Sequence, residues 1–359
     1  MNIRLTDEQR ALRETLDRLL AERCPLLRVR ALEAGAGHDP AVWAELARVG
    51  ALGLLVPEAR GGSGGTFLEA ALCCEAFGAA LYPSPFIWSC VVAPFLLEQP
   101  GAEQAAAAWL PRVATGEAII TLADDRAHVF DAARPTLQPE RGGWRLSGTV
   151  QFVEYAPLAD ALLAAAEGPE GPALLLIAPT AALLTMERRH EISGGQHYRV
   201  VFDAAAPAGQ VLPVPWTALE AAYDRARITL AARMVGAAQR AFDLTLGYLR
   251  ERSQFGQPLI TFQALNFRLA ALLTKIDAAR LLVYEAAWRL DAGQPLAHAA
   301  LLAKAHAAEV YREMAAEAIQ LHGGFGFTEE ANPQLFYRRA AVEAFLCGTP
   351  AALRERAAA

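Results

Sequence analysis

Arg252-Ser253-Gln254-Phe255-Gly256-Gln257-Pro258-Leu259-Ile260-Thr261-Phe262-Gln263 interrupts two long helical patterns. Apolar periodicity predicts one helix from Ala218 to Arg252 and another from Phe262 to Leu290, with Gly256-Gln257-Pro258 as the break. Gly293-Gln294-Pro295 then leads into a third helix, Leu296 to His322, which ends at Gln320-Leu321-His322-Gly323-Gly324-Phe325-Gly326-Phe327. A shorter helix is expected near Gln334 to Phe345. Helices of 25 or more residues are near 40 Å long at about 1.5 Å per residue, and short breaks between them make an antiparallel four-helix bundle the simplest packing.

Upstream, Thr6 and Gln9 form a capping box, after which Leu12, Leu16, Leu19 and Leu20 share one helical face. Ala41, Leu46 and Val49 predict a helix over Pro40 to Val49, stopped by Gly50. Gly61-Gly62-Ser63-Gly64-Gly65 reads as a turn, because no Lys-Ser or Lys-Thr follows it and no strand leads into it, as a phosphate loop requires. A buried helix follows from Phe67 to Ala80, and Tyr82-Pro83-Ser84-Pro85 breaks the chain. Between Glu117 and Leu212 the pattern changes to short, partly β-branched runs, at Ala118 to Leu122, Trp144 to Val153, Ala161 to Ala165, Ala173 to Ile177 and Tyr198 to Phe202. The fold class is therefore mainly α with an inserted antiparallel β-domain. The expected boundaries are an N-terminal helical domain over 1–116, a β-domain over 117–213 and a C-terminal helical bundle over 214–359.

The 359 residues, 54% hydrophobic and 20% charged, suit a globular protein of two or three domains. A net charge of −6 leaves no basic stripe for nucleic acid. Neither a signal peptide nor a run of roughly 20 apolar residues is visible, so a cytoplasmic protein without a membrane span is expected. Cys24, Cys73, Cys74, Cys90 and Cys347 show neither metal-ligand spacing nor a C-x-x-C pair and read as small apolar fillers.

Arg252 has a planar fork suited to a pyrophosphate, with Gln254 and Gln263 as neutral donors. It equally suits the carbonyls at the end of the preceding helix, and spacing alone leaves both open. Gln320 falls on the last turn of its helix. Three glycines within four residues exceed what a helix cap needs and point to backbone passing close to something. His322 and His197 stand without spaced partners and read as structural.

These motifs resemble those of the acyl-CoA dehydrogenase family, and the resemblance runs along essentially the whole chain, best from Ala222 to Thr349. It implies that Arg252, Gln254, Phe255, Gln263, Gln320, Gly323 and Gly324 hold the FAD bound mainly by a neighbouring subunit. Thr349 would serve the subunit's own FAD and Arg227 the substrate. The implied reaction is α,β-desaturation of an acyl-CoA thioester: a carboxylate takes the α-proton and the β-hydrogen leaves as hydride to flavin. The family also implies a dimer or tetramer and the electron-transfer flavoprotein as acceptor.

Against that pattern the chain departs in one half of the site. Cys347-Gly348-Thr349 stands where the family reads Glu-Gly-Thr, and Ala226 occupies the alternative position of the base. Asp224 lies roughly 200° away on its helix, Glu343 is out of register, and a thiol such as Cys347 ionises poorly without a cationic neighbour. In the β-domain, Asp124-Asp125 and Val150-Gln151-Phe152-Val153-Glu154 replace family segments that touch the flavin and thioester in the same subunit. Phe152 still offers a ring for stacking, while Glu154 puts an anion where a neutral hydroxyl is expected. Residues serving the neighbour's FAD are thus kept and those serving the chain's own are lost apart from Thr349, which leads us to expect a hetero-oligomer with a paralogous, base-carrying subunit; the resemblance to hetero-oligomeric bacterial members of the family implies bulky acyl-CoAs, such as steroid side-chain thioesters, as substrates. The competing expectations are an active homotetramer with an unusual base, a flavin monooxygenase of the same fold, and a non-catalytic acyl-CoA or flavin-binding scaffold.

Overall fold

The computed structural model describes residues 4–35, 37–140, 142–179, 184–207 and 211–359. Its helices are α1 (Asp7–Arg23), α2 (Leu26–Ala34), α3 (Pro40–Arg48), α4 (Phe67–Ala79), α5 (Ala93–Leu97), α6 (Glu103–Ala114), α7 (Trp216–Glu251), α8 (Gln263–Asp291), α9 (Ala297–His322), α10 (Pro333–Glu343) and α11 (Pro350–Ala358). Its strands are β1 (Ile120–Ala123), β2 (Thr136–Glu140), β3 (Gly143–Glu154), β4 (Ala161–Gly168), β5 (Gly171–Ile177), β6 (Leu184–Arg189), β7 (His197–Pro207), β8 (Val211–Leu212), β9 (Ser253–Gln254) and β10 (Gln257–Pro258). A helical N-terminal part, a central sheet and a helical C-terminal part follow one another along the chain. By internal contact the chain forms two compact units: Met1–Gly35, Phe67–Pro83 and Arg227–Ala359 make the first, Ala36–Thr66 and Ser84–Ala226 the second.

In the helical unit, local signals set the ends. The Thr6 hydroxyl accepts from the Gln9 amide and the Gln9 side chain accepts from the Thr6 amide, so the expected box starts α1. The cap of α4 comes from far away: the Asp291 carboxylate, at the end of α8, accepts from the amides of Phe67 and Leu68 at 2.7 and 3.1 Å. α4 and α7 cross so closely that a Cβ at Gly78 would stand 1.8 Å from the Arg233 carbonyl oxygen, and one at Gly236 1.8 Å from that of Glu75. Two helices of this unit escaped the periodicity, α2 and α11. Arg30 and Glu33 of α2 are tied down by long-range partners, Arg30 donating to the Ala331 carbonyl at 2.9 Å and Glu33 accepting from Arg339 at 3.0 Å.

In the β-containing unit, the described strands form an eight-stranded sheet in the order β6-β7-β3-β2-β4-β5-β8, with β1 beside β4. It is not purely antiparallel as expected. β4 runs parallel to both β1 and β2: β3 runs back against β2, and the reversal that follows Glu154 sends β4 the way β1 and β2 run. β3 bulges between Val150 and Val153, where the ladder to β7 loses register. The amides freed there are not orphaned: the Asp125 carboxylate accepts from Gln151 at 2.8 Å and from Phe152 at 3.0 Å. The glycine run after α3 is a turn folded on its own chain, since a Cβ at Gly62 would meet the Val56 carbonyl at 2.1 Å. Ile87–Val92, buried throughout, winds as a π-helix ahead of α5. No helix among the described residues is long and apolar enough to cross a membrane.

Candidate functional site

Arg252 follows the last residue of α7, and the chain then makes a two-residue hairpin. Gln254 pairs with Gln257, Ser253 with Pro258, and the Leu259 amide donates to the Arg252 carbonyl at 2.8 Å. Phe255 and Gly256 at the tip have φ of 54° and 79°, as the right-handed strand twist demands of a two-residue turn. A phenylalanine there costs about 1–2 kcal/mol relative to glycine. The ring meets that of Phe262 edge-on at 6.2 Å and is otherwise open, 92% exposed. Among the described residues the Arg252 guanidinium has no hydrogen-bond or ion-pair partner, so it is not capping α7. Gln254 and Gln263, the first residue of α8, are exposed on the same hairpin and helix start.

At the end of α9, Gln320 faces solvent and Gly323 turns the chain with φ 63°, a conformation suited to glycine. The three glycines differ in purpose. A Cβ at Gly323 or Gly324 would touch nothing, whereas one at Gly326 would lie 2.6 Å from the Ile319 carbonyl of its own helix. His322, read as structural, joins the two motifs: its ring donates from Nδ1 to the Ala318 carbonyl at 2.7 Å and stacks on Tyr248 at 4.3 Å. Tyr248 in turn accepts the Arg252 amide on its carbonyl. Both motifs therefore sit at one end of the helical unit, with Phe325 and Phe327 exposed beside them.

A second constellation surrounds Cys347, which is 2% exposed and has φ 56°. The turn carrying it is gripped by two buried cations. Lys304 donates from Nζ to the carbonyls of Ala344 and Gly348 at 2.9 and 2.7 Å, and Arg227 donates from Nε to that of Cys347 at 3.2 Å. Burial lowers the Lys304 ammonium to about 8, against a partial rise from Cys347 beside it. The thiol thus has the cationic neighbour that sequence did not reveal. Arg227 is buried, so it is not part of a surface ion pair on its helix. Glu343 lies 2.9 Å from the Arg233 guanidinium, Ala226 is fully buried without a polar group, and Thr349 caps α11 by accepting from Ala352.

In the β-containing unit the new carboxylates all have work within the unit. Asp124 accepts from Arg134 at 2.8 and 3.0 Å and from the hydroxyl of Tyr223, while Arg134 stacks on Trp216 at 3.7 Å. Asp125 holds the β3 bulge. Glu154 faces His197, its registered neighbour on β7, with Oε1 3.4 Å from Nε2; on the other side of the ring, Glu191 Oε1 is 3.6 Å from Nδ1. Burial opposes charge on the imidazole, yet the two carboxylates outweigh it and raise His197 to about 9, while Glu191, desolvated but facing the His197 ring and hydrogen-bonded by Ser193, falls to about 2. Sequence spacing missed Lys304, Arg134, Tyr223 and Glu191. Only Lys304 left a signal, a lone charge in a run of alanines that are buried around it.

The His197 shift carries a pH dependence. Because its folded value lies above the ordinary 6.5, the stabilisation is complete below pH 6.5 and is lost as pH rises towards 9. The unfolding free energy of the native chain should fall between pH 6 and pH 9.5 by on the order of a few kcal/mol, seen as a falling melting temperature. His197→Gln should flatten the slope.

Residues 6–117 match the family model for the acyl-CoA dehydrogenase N-terminal domain and residues 216–359 that for the C-terminal domain. The chain is 31% identical to acyl-CoA dehydrogenase IpdE2 of Mycolicibacterium smegmatis over 96% of each protein. The chain belongs to the acyl-CoA dehydrogenase family. Among solved structures it resembles the Tcur3481-Tcur3483 steroid ACAD variant, with 32% identity, TM-score 0.88, and 98% of this chain and 97% of that one covered. It also resembles the ChsE4-ChsE5 complex from Mycobacterium tuberculosis, with 26% identity, TM-score 0.91, and 99% and 97% covered. Membership in the acyl-CoA dehydrogenase family makes it a flavoprotein oxidoreductase acting on CH–CH bonds, with FAD as cofactor.

Proposed function

We propose that this chain is the base-lacking subunit of a hetero-oligomeric acyl-CoA dehydrogenase and completes the FAD site of a paralogous, base-carrying partner. The observation that carries the reading is an asymmetry of availability. At the hairpin and the end of α9, one guanidinium, three carboxamides and several rings stand exposed, a donor set that fits a pyrophosphate and an aromatic ring system. In the β-containing unit Asp124, Asp125 and Glu154 are committed to Arg134, the β3 amides and His197, which does not fit a cofactor needing neutral donors along Phe152. On this reading Arg252 orients the pyrophosphate, and Gln254, Gln263, Gln320 and the bare backbone of Gly323 and Gly324 complete the pocket. Phe255 leaves solvent by packing against the partner. When bound, FAD supplies the acceptor for the hydrogen leaving the β-carbon.

No carboxylate is free where the family's base stands. Position 347 is a thiol and Glu343 is matched by Arg233. Arg227, buried beneath the turn, orients the Cys347 backbone and through it the thioester. The likeness to ChsE4-ChsE5 and to a steroid ACAD supports bulky substrates, such as steroid side-chain thioesters, and a mixed dimer or tetramer, with electron-transfer flavoprotein as acceptor. One observation favours a second reading, an active homotetramer: the Lys304 ammonium beside Cys347 would favour a thiolate base. Flavin content and desaturation activity decide between them. The split site predicts neither for the chain purified alone, and one FAD per pair of unlike chains, with activity, after co-purification with the paralogue. A full FAD per chain and activity alone would establish the second reading.

A further inference from the structure

α2 belongs to neither constellation described above, yet its Arg30 reaches the chain that leaves the glycine motif. Residues 323–332 run from the end of α9 to the start of α10, and their local bonds close them only on themselves: Thr328 donates its amide and its hydroxyl to the Phe325 carbonyl, both at 3.0 Å, and Ala331 donates to the Thr328 carbonyl at 3.2 Å. Phe325 and Phe327 are exposed and do not anchor the segment. Apart from α9 and α10 themselves, its polar ties among the described residues come from one side chain. The Arg30 guanidinium donates to the carbonyls of Glu329, of Glu330 at 3.4 Å and of Ala331 at 2.9 Å, and to Asn332 Oδ1 at 3.3 Å. Asn332 precedes α10 without capping it, its side chain being turned to this contact instead. A planar fork of five N–H groups spans such a row of acceptors, which the single nitrogen of a lysine does not. One helical turn on, Glu33 makes a separate tie, accepting from Arg338 and Arg339 of α10 at 3.2 and 3.0 Å.

We propose that Arg30 is a positioning residue for cofactor binding: it holds residues 323–332 in the one course that presents Gly323 and Gly324 to the partner's FAD. The inference rests on the reading that the end of α9 holds that cofactor, and adds to it the residue, from a distant part of the chain, that keeps the half-site formed before the partner arrives. A segment released from Arg30 and correctly placed about one-tenth of the time binds about tenfold more weakly.

The test follows FAD dissociation from the complex of this chain with its paralogue, by the return of flavin fluorescence on dilution, together with desaturation activity with and without added FAD. A chain found to carry a full FAD alone is measured in the same way, as its own partner. Arg30→Ala is expected to weaken FAD binding on the order of tenfold, with activity that is lost on dilution and returns with added FAD. Arg30→Lys keeps the charge but not the fork and should fall between the native chain and Arg30→Ala. Glu33→Gln loosens α2 from α10 without touching residues 323–332, and is expected to lower the melting temperature while FAD affinity stays native. Unchanged FAD affinity in Arg30→Ala overturns the proposal, and so does an equal loss in Glu33→Gln, which would make Arg30 one of several bonds that dock α2. Should Arg30→Ala fail to fold, native affinity in Arg30→Lys overturns it. Gln320→Ala tests the underlying reading: FAD affinity that it leaves unmoved removes the cofactor from the end of α9 and the inference with it, whereas affinity lowered by Gln320→Ala and not by Arg30→Ala removes the inference alone.

Discussion

Asp124→Ala is expected to destabilise the β-containing unit by about 3–5 kcal/mol, because it strands a guanidinium in the interior. The Asp124 side chain is fully buried and that of Arg134 4% exposed. Arg134 directs two N–H groups at one Asp124 oxygen, which also takes the Tyr223 hydroxyl, and the other oxygen caps the short helical turn at Arg126. Without Asp124 the only carboxylate left near the guanidinium among the described residues is Glu167, at 3.6 Å and itself 41% exposed, beside the Tyr223 hydroxyl at 3.4 Å and the Trp216 ring. Burial would then act on Arg134 without the buried carboxylate that offsets most of it, and the Tyr223 hydroxyl would lose its acceptor. Arg134→Met should cost a comparable amount by leaving the carboxylate alone. The double variant, Asp124→Ala with Arg134→Met, should recover part of the loss, since removing both partners leaves no unpaired charge buried. Chemical denaturation of the four proteins measures the coupling. If the single losses simply add, the three groups do not act as one network.

That network shows where reading the sequence stops. Its members lie ten and ninety-nine residues apart, and nothing in the neighbourhood of Asp124 announces that its charge is already spoken for. The same holds for Glu154, which looks like an anion intruding on a flavin site until His197 is seen opposite it on β7. Features written locally were legible: the capping box of α1, the long apolar periods of α7, α8 and α9, and the breaks between them. α2 was not, since its apolar residues run round the helix and Leu27 is left 79% exposed. Nor was β6, whose Leu184–Arg189 sequence is polar and owes its extended form to the ladder with β7. The hairpin at Phe255 was legible as a motif, and its positive φ values and exposure add the physical reason: the chain strains a phenylalanine outward.

The closest approach in the helical unit was also invisible beforehand, and it sets the second large effect. Gly78→Ala and Gly236→Ala should each destabilise by about 1–3 kcal/mol or more, as overpacking does, because the added methyl meets backbone rather than a side chain able to turn away. At 1.8 Å from a carbonyl oxygen, neither methyl fits unless α4 and α7 separate. The two positions belong to one crossing: Gly78 of α4 lies against Arg233 of α7, and Gly236 of α7 against Glu75 of α4. Separation of the helices for one methyl therefore makes room for the other. The double variant should cost clearly less than the sum of the two singles, a coupling of neighbours that a denaturation cycle resolves. Glu75 adds a local readout, since its carboxylate accepts from Arg280 at 2.9 Å and from the Tyr284 hydroxyl at 2.8 Å. Helix separation pulls on these bonds, so the Tyr284 phenol, now pushed up by burial and by Glu75, should titrate lower in either single variant than in the native chain. Additive losses with an unmoved Tyr284 would mean that each glycine is accommodated separately and that the crossing does not behave as a unit.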